Sequence, residues 1–490
     1  MFSNLRYILF PVLNITGAVL TAFAVIMLLP LTLAVVNDEP SVTGFGYGAF
    51  VTFIVGVFLF FLTNKNKREL VARDGFLLAT IIWACIPLFA SIPLYVSLPG
   101  LSFTHAYFEA ISGTTTTCAT VLTGLDTLPQ SINFWRCFLS WIGGMGILVL
   151  AVAILPLLGV GGAQIFKAEA SGPMKDSKLT PRIADTAKGL WWIYLTLTVA
   201  CVLAYIIAGM SVFDALLHAF TTVSLGGFSS HDASFGYWNS DTIECVAIFF
   251  MFICGASFSL HFVALRKRSV IPYLHNVEFL CWLGICVVAV STVTLILWDS
   301  AYYSSWDVAL RHAAFNVIST ISTTGFSTSD YNLWPIATPI LMLACACFST
   351  CGGSTGGGIK MLRSIILLKQ TLREFTLLLH PKAVVPLSIG GGSISNRVVS
   401  QAVAYSQLWI VLILLGAIVM MATGLDLVTA TSAIIACLTN TGPGLGVVGP
   451  TGTFAQLSDF QLWLCSFCML VGRLEMMTVF VLFTRAFWRL

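Results

Sequence analysis

Charge is scarce in this chain. Asp, Glu, Lys and Arg make up only 9% of its 490 residues, against about 25% in an ordinary soluble domain. A water-facing globular surface cannot be covered with so little charge, so that class is excluded. Mean hydropathy is +0.93, and apolar runs of about 20 residues, enough to cross a bilayer as helix, recur throughout. Membrane lipid is therefore an expected partner. A net charge of +3 is too small to favour nucleic acid. Catalytic groupings are missing too. No nucleophile–base pair can be assembled, and His218, His231, His261 and His312 do not share the spacing of a metal site, so neither an enzyme nor a covalent cofactor is expected. The cysteines show no secretory framework. Most lie in apolar stretches, as do Cys85, Cys201, Cys254, Cys281, Cys286, Cys345 and Cys347. Cys465 and Cys468 form a CxxC without a His or a second pair nearby, and read as two small buried residues. No clean small-residue cleavage site follows the first apolar run, so that run reads as a retained helix rather than a signal peptide.

Against this background four polar loops stand out. Val317–Ser329 reads VISTISTTGFSTS, Gly113–Thr120 GTTTTCAT, Thr221–Ser230 TTVSLGGFSS and Leu438–Gly446 LTNTGPGLG. Each follows a short amphipathic run and precedes a long apolar one. One such cluster would be ordinary turn chemistry. Four, evenly spread, are best explained by loops that meet on one axis and offer backbone carbonyls in place of an ion's water shell. Short helices whose C-terminal ends point at the loops would add partial negative charge there. Gly227, Gly325 and Gly442 suit left-handed backbone that aims carbonyls inward.

The rest of the chain organises around those loops as an all-α polytopic membrane protein of ten spanning helices. Two N-terminal helices, about Tyr7 to Val36 and Tyr47 to Leu62, occupy residues 1–70. A unit of long helix, half-helix, loop and returning helix then repeats over 71–165, 166–270, 271–380 and 381–490. The half-helices are expected at about Thr104–Thr115, Val212–Val223, Trp306–Thr320 and Leu425–Leu438. The returning helices are expected at about Phe134–Leu158, Thr242–Leu265, Ile336–Leu368 and Phe460–Trp488. Basic residues follow the same alternation. Lys65, Lys67 and Arg68, then Lys167–Lys188, Arg266–Arg268, Lys360–Arg397 and Arg485–Arg489, fall on one side and hold nearly all of the Lys and Arg. That side is read as cytoplasmic, with both termini on it. Acidic residues such as Asp126, Asp214, Asp232 and Asp330 fall on the other side, which suggests a negative outer mouth.

Two further features mark the pathway. The third returning helix is interrupted by FSTCGGSTGGGIK, Phe348–Lys360. Small residues at bilayer depth abolish helix propensity, and irregular backbone there is tolerated only where it lines a cavity or is buried in protein. Gly352, Gly353, Ser354, Thr355, Gly356, Gly357 and Gly358 are thus expected beneath the loops as a gate, with a plain kink as the alternative. A nucleotide-binding P-loop is disfavoured because Ile359 separates Gly358 from Lys360 and no strand precedes it. Arg473, in VGRLEMM, falls near mid-membrane, where a charge marks function by default. It is expected to face the cavity and oppose cations; snorkelling to the cytoplasmic surface is the alternative. Glu475, two residues on, points to another face and is not expected to be its partner.

These motifs, from RDGF at Arg73 through SGTTTTCATVLTGLD at Ser112, LGGFSSHDAS at Leu225, STTGFST at Ser322, GGSTGGGIK at Gly352, TNTGPGLG at Thr439 and GRLE at Gly472, resemble the Trk/Ktr/HKT superfamily of potassium transporters, and within it the bacterial Trk-type uptake subunits. The resemblance runs almost end to end. It implies four such repeats around one pore, two extra N-terminal helices, a homodimer with a pore in each protomer, and a cytosolic TrkA-like regulatory ring that binds NAD or ATP, the only route by which nucleotide enters. The family's filter falls on Thr116, Thr117, Cys118 and Ala119; Leu225, Gly226, Gly227 and Phe228; Thr323, Thr324, Gly325 and Phe326; and Asn440, Thr441, Gly442 and Pro443. Potassium would bind at those residues only. The gating loop falls on Gly352–Gly358 and the pore arginine on Arg473. Cys118 departs from the glycine that the family usually has there. The expected function is inward, channel-like potassium permeation across a bacterial inner membrane. A proton- or sodium-coupled symporter and a less selective potassium/sodium pathway are the alternatives; the loops carry no titratable residue that coupling would need.

Overall fold

The computed structural model describes residues 2–64, 70–158, 183–348 and 350–488. The basic cluster Lys65, Lys67 and Arg68, the 167–182 part of the next basic segment, and Arg489 lie outside the described residues. Helices dominate, and the only paired strands among the described residues are the two-residue pieces Ser388–Ile389 and Gly392–Ser393. The first helix breaks once, between Phe2–Ile26 and Leu28–Val36. Pro30 explains the break, since it cannot donate to the Ile26 carbonyl and its ring crowds that oxygen. The second helix is Val42–Thr63.

Among the described residues six helices are long and apolar enough to cross a membrane, or eight if each of two bent pairs is one span. The six are Ile8–Val36, Val42–Thr63, Arg73–Ser97, Lys188–Ile207, Val277–Asp299 and Asn396–Ala422. Gln130–Leu158 is a further long helix, kinked at Gly146. The third returning segment consists of Ala337–Phe348 and Met361–Leu379, separated by the glycine-rich run.

Short helices lie at the expected places: Phe103–Thr114, Val212–Val223, Trp306–Ile321 and Leu427–Thr439. Ser102, Ser211 and Asp426 cap the first, second and fourth by accepting a backbone N–H. Their buried apolar faces belong to two large cores. One joins the N-terminal helices to the first and fourth units through Phe23, Trp135, Phe454 and Met469. The other joins the second and third units through Tyr205, Trp282, Phe315 and Phe326.

Two returning helices differ from the straight spans expected of them. Thr242–Leu265 is instead Asp241–Gly255 and Phe258–Lys267, bent by 95°. Phe460–Trp488 is instead Asp459–Arg473 and Met476–Phe483, bent by 108°. The first bend has a physical reason. The Gly255 carbonyl it frees accepts from Cys351 N at 3.1 Å, and Phe258 N donates to Gly353 O at 3.0 Å. The interrupted third helix thus supplies the partners that a bend in buried backbone requires. At the second bend Glu475 has a φ of 57°, so the helix cannot continue through it.

Candidate ion-conduction site

The four loops share one backbone construction. In each, the residue two before the expected filter position is left-handed: Thr116, Leu225, Thr323 and Asn440 have φ of 54°, 53°, 62° and 54°. The filter position itself is left-handed again, with φ of 59° at Cys118, 54° at Gly227, 90° at Gly325 and 92° at Gly442. The left-handed residues are set by helix termination. The N–H of Thr117, Gly226, Thr324 and Thr441 donates five residues back, to Ser112, Thr221, Ser319 and Ala436, at 2.8–2.9 Å. This is the bond that closes a helix through a left-handed residue. Hydroxyls brace the turn in three loops: Thr115 with Thr117 at 2.8 Å, Ser322 with Thr324 at 2.6 Å and Thr439 with Thr441 at 2.8 Å.

The loops meet in a ring. A Cβ on Gly227 would overlap Thr324 O, one on Gly325 would overlap Thr441 O, and one on Gly442 would overlap Thr117 O. Each glycine therefore admits the carbonyl of the next loop as well as the positive φ. Cys118 carries the Cβ that the others lack. Its Sγ lies 3.2 Å from Thr324 O and 3.3 Å from Thr441 O, within the ring and within reach of both as a donor. The flanking residues are less uniform. Ala119 is buried, and Pro443 packs near Gly325. The Phe326 carbonyl accepts from Ser319 Oγ at 2.7 Å and so turns toward its own half-helix. The Phe228 ring lies under Arg136, 4.5 Å from the guanidinium carbon.

The interrupted segment divides into two parts. Gly352 and Gly353 serve as tethers: Gly352 N donates to Glu278 Oε1 at 2.6 Å, and Gly353 O accepts from Phe258. Ser354 Oγ closes the turn onto Cys351 O at 2.7 Å. Thr355, Gly356 and Gly357 lie against the ends of the half-helices, whereas Gly358 abuts the Ala346 and Cys347 carbonyls at the end of Ala337–Phe348. Thr355 Oγ1 donates to Val223 O at 3.1 Å, and Gly357 N donates to Thr323 Oγ1 at 2.9 Å. A Cβ on Gly357 would overlap Thr439 O, and one on Gly356 would lie 2.9 Å from Ser322 O. Lys360 Nζ folds back onto Gly356 O.

Arg473 ends its helix at the bend, where mid-helix was expected. Its guanidinium donates to Thr355 O at 2.8 Å and to Gly143 O and Gly144 O at 2.7 and 3.2 Å. Gly143 abuts Thr114 O, the end of the first half-helix. The arginine and the glycine-rich segment together thus reach the ends of all four half-helices. Glu475 accepts from Arg363 Nη2 at 2.8 Å, and that guanidinium lies 4.2 Å over the Tyr405 ring.

Sequence reasoning missed Glu278. One of its oxygens accepts from both Gly352 N and Leu362 N, so it holds the two ends of the interruption together. An acid at the start of an apolar span was the signal available. His231 Nδ1 meets Asp126 and its Nε2 lies 3.5 Å from Asp214, which ties the first loop to the second. Arg311, the one expected outer-segment arginine besides Arg136, pairs with Glu244 at 2.6 Å and with Asp241.

Long apolar helices with four short-helix loops that meet in a ring define a multi-pass helical membrane protein. The comparisons agree. The TrkH family model, described as a cation transport protein, matches residues 44–489, and the chain belongs to that family. A Trk system potassium uptake protein TrkH of Halomonas elongata is 44% identical over 481 residues, spanning 98% of this chain and 99% of its own. The protein of that name from Escherichia coli is 42% identical over 477 residues, 97% and 98% of the two chains. The crystal structure of the potassium transporter TrkH from Vibrio parahaemolyticus matches with a TM-score of 0.89 at 39% identity, covering 98% of this chain and 100% of that one. The family is one of transporters, not enzymes.

Proposed function

We propose that the protein carries potassium inward across the bacterial inner membrane through a filter made by the four loops. The flow is channel-like, and the Thr355–Gly358 segment gates it from below. The observation that carries this reading is the twofold left-handed pattern repeated in all four loops, together with the approach of each loop's carbonyl to the next loop's glycine, which supports carbonyls gathered about one axis. Relatives named as potassium uptake proteins support the choice of ion. The name Trk system supports a multi-component assembly, in which this subunit acts as a homodimer under a cytosolic TrkA-like ring that senses NAD or ATP. The chain has ten spans, taking Gln130–Leu158 and the interrupted third helix as two and each bent pair as one. Two helices lie in residues 1–70, and four pore units follow over 71–165, 166–270, 271–380 and 381–490. Both termini are cytoplasmic. The thiol in the ring supports a weaker preference for potassium over sodium than three glycines and a fourth would give.

The test is a current–voltage curve of purified protein in a planar bilayer. Under asymmetrical potassium the current should reverse near the potassium equilibrium potential and ignore an added pH gradient. A reversal that follows the pH gradient would replace the channel with a proton-coupled symporter.

A further inference from the structure

Nine residues before each expected filter position stand Glu109, His218, Asn316 and Ala433, counting back from Cys118, Gly227, Gly325 and Gly442. The first three are 1%, 0% and 0% exposed. All three reach past their own half-helix to the chain just beyond the filter residue. The Glu109 carboxylate accepts from Thr120 Oγ1 at 2.9 Å and from Val121 N at 3.0 Å. His218 Nε2 meets Ser229 Oγ at 2.9 Å, while its Nδ1 sits 2.8 Å from the Asp214 carbonyl. That carbonyl can only accept, so Nδ1 carries the proton and, in the neutral ring, Nε2 accepts from the serine. Asn316 grips Thr328 from both ends of its amide: Nδ2 to Oγ1 at 2.9 Å, and Oδ1 from N at 3.2 Å. Alanine at 433 can do none of this. Ser432, one residue earlier, does it instead: its Oγ accepts from Leu445 N at 2.8 Å and donates to Leu445 O at 3.2 Å.

We infer that these four side chains are the positioning residues of the filter, each pinning the outgoing strand of its own loop and so fixing how far that loop's carbonyls stand from the axis. The inference rests on the reading of the loops as a filter. Chemistry differs between quadrants while the job stays the same, which argues for selection of the contact rather than of the residue. The strongest brace stands behind the odd loop. Glu109 is paired with the buried Arg136, whose Nε donates to it at 2.7 Å, and charge-assisted bonds are roughly twice as strong as neutral ones. Arg136 also donates to Ser229 O at 3.1 Å, so the first brace locks to the second loop. Cys118 holds a left-handed backbone that glycine would adopt freely, and a stiffer support behind it keeps the loop in register.

The experiment compares potassium-to-sodium permeability ratios, from bi-ionic reversal potentials in liposomes, for full-length protein. Asn316→Ala and His218→Ala should lower the ratio by about two- to tenfold, the span that one buried hydrogen bond covers. His218→Asn, which installs the third loop's brace in the second, should keep most of it. Ser432→Ala, the mildest deletion, gives a second readout should the others fold poorly. Unfolding midpoints run in parallel identify variants that are merely destabilised. Folded alanine variants with the wild-type ratio, or a His218→Asn variant as impaired as His218→Ala, would overturn the assignment. A wild-type protein without preference for potassium would instead remove the filter reading itself.

Discussion

At the scale of single residues, the informative positions are those where a side chain stands in backbone or space that favours none. Cys118 is left-handed, at a cost of roughly 1–2 kcal/mol relative to glycine, and its thiol is within reach of two carbonyls of the ring. Each carbonyl that accepts from sulfur offers less to an ion. Cys118→Gly should therefore raise the potassium-to-sodium permeability ratio several-fold without loss of folded protein, read from bi-ionic reversal potentials. A ratio that holds or falls would mean the cysteine already sits in good filter geometry. In the proposed pathway Arg473 would act in two ways of the same sign. It would repel cations in a low-dielectric path, and it ties Thr355 O to Gly143 O and Gly144 O. Losing one charged hydrogen bond, worth about 1.5–3 kcal/mol, should raise flux at least about tenfold in Arg473→Ala. Arg473→Lys separates the two effects, because an ammonium keeps the charge but lacks the planar fork that spans three carbonyls. A flux in both variants equal to wild type would leave the arginine without a role in the closed pathway.

At the scale of elements, the glycine-rich segment is held by its surroundings rather than by its own propensity. Its ends are gathered by Glu278, and its middle rests where Cβ atoms on Gly356 and Gly357 would meet Ser322 O and Thr439 O. Gly358 adds a φ of 77°. Alanines at 356–358 cannot keep that seat, so the segment should leave it more often. Single-channel records should show a raised open fraction with an unchanged ion preference. A changed preference with unchanged gating would move the segment into the filter. Glu278→Gln keeps an oxygen for Gly352 N but lowers its acceptor strength, so it should shift gating in the same direction and less far. The helix bend at Ala256 belongs to the same unit, since the segment's backbone supplies the bend's missing partners.

At the scale of the whole molecule, the link between the first and second loops should respond to pH. His231 lies between Asp126 and Asp214 and stacks on Tyr237 at 3.6 Å between ring centres. Burial by itself lowers the imidazole pKa, but the hydrogen bonds and charges of Asp214 and Asp126 outweigh it and hold it above the usual 6.5. A raised folded pKa means stabilisation present in full below the ordinary value and lost as pH climbs through the raised one. The unfolding midpoint of the detergent-purified protein should fall as pH rises from about 6.5 upward, and His231→Gln should flatten that slope. A slope unchanged in the variant would place the titration elsewhere.

The sequence by itself determined the class of this molecule and the order of its parts. Scarce charge, apolar runs and alternating basic ends are properties of chain composition against lipid, and they need no tertiary contact to be legible. The half-helices were legible within a residue or two for the same reason: amphipathic runs end at small polar residues. Glycine marked three of the four expected filter positions because only it accepts both the positive φ and the neighbouring carbonyl. The four left-handed residues at Thr116, Leu225, Thr323 and Asn440 were not legible, since none is glycine and their conformation follows from closing a helix inside a packed ring. The two bends and the grip of Arg473 on distant carbonyls were also decided only in three dimensions. A backbone group freed at one point in a membrane protein must find its partner at another, and which partner it finds depends on elements more than a hundred residues apart.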